Sequence, residues 1–76
     1  MKEALLNILR EIRPDVDFET ETGLVSGEIL ESFDLFTIIT SLHDELGVKI
    51  GTEEISTENF DSLDAMVAMA ERLAHE

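Results

Sequence analysis

Two short stretches set a serine between acids with an apolar residue after it, Glu31-Ser32-Phe33-Asp34 and Asp61-Ser62-Leu63-Asp64. Ser32 stands where an apolar loop gives way to a helical pattern, which offers its hydroxyl at a helix N-terminus. That end of a helix carries partial positive charge and backbone N–H groups without intrahelical partners. A phosphate ester on the Ser32 oxygen is electrostatically favoured there. The plain alternative is a structural helix cap, worth about 1 kcal/mol. Ser62 reads as such a cap, since no long apolar loop precedes it and its flanking acids suit a helix start.

Other reactive groups are few. The chain has no Cys, which excludes a disulfide scaffold, a thiolate zinc site and a cysteine nucleophile. Its two histidines are His43, on the border of an apolar helical arc, and His75, close to the C-terminus. Seventy-six residues show no substrate cleft or oxyanion loop to go with them, so no independent catalysis is expected. The series Asp15, Asp17, Glu19, Glu21 invites comparison with a calcium loop. Counted from Asp15, however, the sixth position is Thr20 where Gly is required and the twelfth is Ser26 where Glu is required. No metal site is expected.

Eighteen acids against five Lys and Arg give a formal net charge of -13. Such a surface repels nucleic acid and anionic lipid and attracts basic protein surfaces. It also strains the fold by self-repulsion that salt relieves. Apolar content of 43% suffices for one small core. No run is long enough for a membrane span and no signal peptide precedes the first helical pattern, so a cytoplasmic location is expected.

Six segments must position the serines. Residues 2–13 place Ala4, Leu5, Ile8, Leu9 and Ile12 on one helical face, with Lys2, Glu3, Asn7, Arg10 and Glu11 opposite. Pro14 ends that helix. Residues 14–30 form a long connection, anchored by Val16, Phe18, Leu24, Val25, Ile29 and Leu30 and turned at Gly23 and Gly27. A second helix spans Ser32 to Leu46 and stops at Gly47. Its core face holds Leu35, Ile38, Ile39, Leu42 and Leu46. Phe33 falls opposite that face, Phe36 lies on its flank beside Ser32, and Thr37, Thr40, Ser41 and Asp44 face outward. After it, VKIG is an extended loop pinned by Val48 and Ile50. Thr52 caps a short turn through Ile55. A last helix from about Ser62 to Ala74 turns Leu63, Met66, Val67, Ala70 and Leu73 inward, with Asp61 and Ser62 as caps and Met66 and Met69 as core filler. The sum is an all-α fold, a small four-helix bundle of three main helices plus a short third helix, with a long loop between helices 1 and 2.

A long loop, then Gly27-Glu28-Ile29-Leu30-Glu31-Ser32-Phe33-Asp34, then an apolar-striped helix ending in Glu45-Leu46-Gly47-Val48-Lys49-Ile50, resembles the acyl carrier protein family. The resemblance spans nearly all of residues 1–76, which would form a single carrier domain. In that family the serine of an Asp-Ser-Leu motif at the start of the second helix carries a 4'-phosphopantetheine arm, whose thiol holds the acyl group as a thioester. The resemblance assigns that role to Ser32, with Glu31 in place of Asp and Phe33 in place of Leu. Asp61-Ser62-Leu63 matches the motif more literally. Only 14 residues follow Ser62, however, too few for the remaining helices.

The resemblance implies a non-catalytic protein served by a phosphopantetheinyl transferase, an acyl- or aminoacyl-adenylating ligase, and an acyltransferase or synthase. A monomer is expected. The surface such partners would meet comprises Glu31, Phe33, Asp34, Phe36, Thr37, Thr40 and Asp44. The Glu-Ser-Phe motif, the hydroxyl-rich second helix and the ending ENFDSLDAMVAMAERL (58–73) are similar to D-alanyl carrier proteins and related aminoacyl carriers. The alternative is an acidic helical interaction module that binds a basic groove and carries no prosthetic group.

Overall fold

The structure is a computed structural model that describes residues 1–75. Four α-helices appear among them: α1 (Lys2–Ile12), α2 (Ser32–Leu46), α3 (Thr57–Phe60) and α4 (Leu63–Ala74). α1 packs against both α2 and α4, and α3 packs against α4. The all-α bundle with a long first connection is therefore the architecture observed.

Because α1 lies between two partners, its buried arc is wider than one face. Leu6 joins Leu5, Ile8 and Leu9 in the core, while Ala4 and Ile12 are half-buried at its margins. Arg13 closes the helix just before Pro14, its N–H reaching the Leu9 carbonyl at 2.8 Å. α2 buries Ile38 and Leu42 completely and packs Leu35, Ile39 and Leu46 at the edge. Gly47 ends α2 in the left-handed region at φ 68°, where glycine is unhindered. α4 buries Leu63, Met66, Met69 and Ala70, so both methionines are core residues.

The long connection is tied down at several points. Phe18, Leu24 and Leu30 are buried. The Leu24 N–H donates to the Asp61 carbonyl at 2.8 Å, and the Leu30 N–H donates to the Leu24 carbonyl at 2.7 Å. The Asp61 carboxylate accepts from the Val25 and Ser26 N–H groups, each at 2.9 Å, and from the Ser26 hydroxyl at 3.0 Å. Asp61 therefore staples the loop and does not cap α4, which corrects the role assigned to it from sequence.

The short third helix also lies later than expected. Residues Thr52–Glu54 make a single 3-10 turn that follows Gly51, so Thr52 begins the turn and does not cap it. The α-helical turn is α3, started by Ser56, whose hydroxyl accepts from the Asn59 N–H at 3.3 Å, and pinned by the buried Phe60. Glu54 is tied to both neighbours, pairing with Arg72 of α4 and accepting from the Asn59 side chain. The Arg72 guanidinium, more than the Asn59 amide, holds the Glu54 carboxyl below the usual carboxylate range. Residues 48–51 are an extended loop pinned by the buried Val48 and half-buried Ile50. The β-pairing seen among the described residues is one isolated antiparallel bridge, Thr22 to Ser62. No helix among them is long and apolar enough to cross a membrane.

Candidate functional site

The start of α2 is built from three segments that meet at Arg13. Its guanidinium forms a two-point pair with Asp15, Nε to Oδ1 at 3.0 Å and Nη2 to Oδ2 at 2.9 Å. Nη1 donates to the Ile29 carbonyl at 3.0 Å and to Asp34 Oδ2 at 2.7 Å. One side chain thus fastens the beginning of the long loop, its end, and the first turn of α2. The Asp15 pairing holds that carboxyl below its ordinary range, and both carboxylates bind the proton more firmly to Arg13.

Asp34 completes the frame from inside the helix. Its Oδ2 also accepts the Glu31 N–H at 3.1 Å, the backward arm of a capping box. Asp34 is only 9% exposed. This corrects its placement on the outward, partner-facing surface: three residues into the helix, its side chain turns back onto Glu31 and Arg13 and is covered.

With Glu31 as the N-cap residue, Ser32 is the first residue of α2. It is exposed, and no hydrogen bond engages its hydroxyl. The first bond of the helical ladder is the Leu35 N–H to the Glu31 carbonyl at 3.0 Å, so the Ser32 and Phe33 amides precede it. The oxygen therefore stands at the positive end of a 15-residue helix with space around it. Beside it Phe33 is 77% exposed and Phe36 is 68% exposed, an unusual pair of apolar surfaces on so acidic a protein.

The remaining outward residues of α2 differ in availability. Glu31, Thr40 and Asp44 are exposed, whereas Thr37 and Ser41 are half-buried. The Thr37 and Thr40 hydroxyls donate back to the Phe33 and Phe36 carbonyls at 3.0 and 2.9 Å. Their protons are thus committed to the helix itself.

Ser62 behaves differently. It is the N-cap of α4, and its Oγ accepts the Ala65 N–H at 3.1 Å. It is half-buried and bridged through its backbone to Thr22. His43 is exposed, with Nδ1 3.8 Å from Asp44 Oδ1. Among the described residues, no three His, Asp or Glu side chains gather as metal ligands. Arg13 is the residue of this site that sequence reading missed. The available signal was a second cation after Arg10 at the end of α1, beside Pro14 and next to a run of acids.

No protein-family profile matches the chain. A curated protein of Serratia sp. (strain ATCC 39006), described as "Probable acyl carrier protein PigG", is 34% identical over 55 residues, which cover 72% of this chain. The match spans 63% of that relative's own length.

Proposed function

The chain belongs to the acyl carrier protein family, and on that premise we propose that Ser32 is the attachment point of a 4'-phosphopantetheine arm, with residues 1–76 acting as one carrier domain. When bound, the arm supplies the thiol on which an acyl or aminoacyl group is held as a thioester. The observation that carries the reading is the exposed, unengaged Ser32 hydroxyl at the front of α2, set beside a second serine whose hydroxyl is occupied as a cap. A phosphodiester fits there. The helix dipole and the leading amides favour its charge, and nothing covers the oxygen.

The protein's own part is presentation. Arg13 and Asp34 hold the loop and the first helical turn in register, so that the serine points outward. In modification the Ser32 oxygen would form a bond to phosphorus as the pyrophosphate link of coenzyme A breaks. The nucleotide leaves, and the transferase takes up the hydroxyl proton. Phe33 and Phe36 supply apolar contact to successive enzymes, while Glu31, Thr40 and Asp44 orient them. The partners are a phosphopantetheinyl transferase, an acyl- or aminoacyl-adenylating ligase, and an acyltransferase or synthase, all met in the cytoplasm. The D-alanyl or aminoacyl branch rests on resemblance, and the hydroxyls of Thr37 and Thr40 add little to it because the backbone holds their protons.

The test is to incubate the full chain with coenzyme A and a broad-specificity phosphopantetheinyl transferase, then weigh it. A gain of one phosphopantetheinyl group that is lost in Ser32→Ala supports the proposal. No gain in the parent protein leaves the non-covalent interaction module as the better description.

A further inference from the structure

Four of the five Lys and Arg side chains sit against carboxylates. Lys2 lies 4.0 Å from Asp64 and Arg10 lies 2.8 Å from Glu19; Arg13 holds Asp15 and Asp34, and Arg72 holds Glu54. Among the described residues, Lys49 is the exposed exception, with no carboxylate on its ammonium. On a chain of net charge -13 that is an uncommon place for an uncompensated cation.

Lys49 stands over a cleft of about 300 Å³ between the rear half of α2 and the segment after Gly47. The cleft is lined by Ile39, Thr40, His43, Lys49 and Ile50. Ile39 and Ile50 pack against the core and give it an apolar floor. The Thr40 hydroxyl proton is turned away, donating to the Phe36 carbonyl.

Helical register connects this cleft to the serine. At 100° per residue, Ser32, Phe36, Ile39 and His43 fall on one stripe of α2. A rise of 1.5 Å per residue sets Ile39 about 10 Å and His43 about 16 Å beyond Ser32. A flexible chain fixed to Ser32 and laid back along its own helix passes Phe36 on its way to the cleft lined by Ile39, Ile50 and Lys49.

We propose that this cleft is a docking subsite for the cargo of the carrier, selective for a short acyl group that ends in a carboxylate. The inference rests on the carrier reading above. The aliphatic part of such a cargo covers Ile39 and Ile50, and its carboxylate meets the Lys49 ammonium, with an imidazole N–H of His43 as a second donor. A cargo ending in an ammonium, as a D-alanyl group does, meets like charge at Lys49. The subsite therefore favours the acyl branch of the family over the aminoacyl one.

The experiment loads the full chain from three acyl-coenzyme A donors of matched length, glutaryl, pentanoyl and 5-aminopentanoyl, with loading verified by mass. Backbone and methyl NMR shifts at Ile39, Lys49 and Ile50, and the melting temperature, are then compared. The glutaryl form is expected to show the largest shifts at these three residues and to melt about 3 °C above the pentanoyl form, the size of one surface charge pair in so small a domain. Lys49→Glu should remove that difference and Lys49→Arg should keep it. Identical cleft shifts in the three loaded forms, or a glutaryl effect that survives Lys49→Glu, would overturn the subsite while leaving the carrier intact. Failure to load any donor would overturn the carrier reading and the subsite together.

Discussion

The fronts of α2 and α4 share a local pattern of acid, serine, apolar residue and Asp, yet their serines end in opposite states. At α4 the preceding acid, Asp61, is drawn away to the amides of Val25 and Ser26, so the Ser62 hydroxyl itself caps the helix. At α2 the preceding Glu31 occupies the cap position, and Asp34 reaches back to its N–H. The cap thus lies one residue earlier, and Ser32 becomes a helical residue whose hydroxyl has no structural task. What separates an available serine from a structural one is the partner of the acid before it: for Asp61 the distant loop amides of Val25 and Ser26, for Glu31 the third residue of its own helix, Asp34.

The largest expected consequence is a crossover between the two serines. Ser32→Ala should abolish modification by a phosphopantetheinyl transferase and change stability by less than about 0.5 kcal/mol. Ser62→Ala should leave modification intact and cost about 1 kcal/mol, read by urea denaturation. The frame around Ser32 comes next. Asp34→Ala removes a buried acceptor of two hydrogen bonds and should cost about 2 kcal/mol. It should also slow modification of Ser32, whereas a substitution at the exposed Glu3 on α1 should do neither.

How much of this arrangement was legible beforehand follows the range of the interactions. The boundaries of α2 were readable because the apolar period and Gly47 are local signals. Met66 was placed in the core by its spacing, whereas Met69 was read as core filler from its residue type. The burial of Asp34 was not readable, because its partner Arg13 lies 21 residues earlier across the long loop. The same holds for Asp61, whose local context says cap and whose distant loop amides say staple. The third helix was misplaced by a few residues for a smaller reason. Thr52 and Ser56 both resemble caps, and the burial of Phe60 favours the helix after Ser56.

Acid sharpens the comparison further. The backbone amides of Ser26 and Val25, with the Ser26 hydroxyl, hold the Asp61 carboxyl below its ordinary range. A depressed carboxylate contributes stability that is present above its unfolded-state range and is lost as pH falls through the folded value. Asp15 and Glu54 act with the same sign through Arg13 and Arg72. The melting temperature should therefore fall as pH drops below about 4, and Asp61→Asn should flatten part of that decline. The smallest effect concerns charge at large. Added salt at neutral pH should raise the melting temperature by screening a net charge of -13. A melting temperature that does not change with ionic strength would remove self-repulsion from the account.

The central claim is that, of two similarly flanked serines, only the one relieved of capping accepts the arm. Fragment mass spectrometry of the enzymatically modified chain tests it directly by locating the added phosphodiester. The account predicts the group on the peptide containing Ser32, with the peptide containing Ser62 unmodified. Modification found at Ser62 would contradict it.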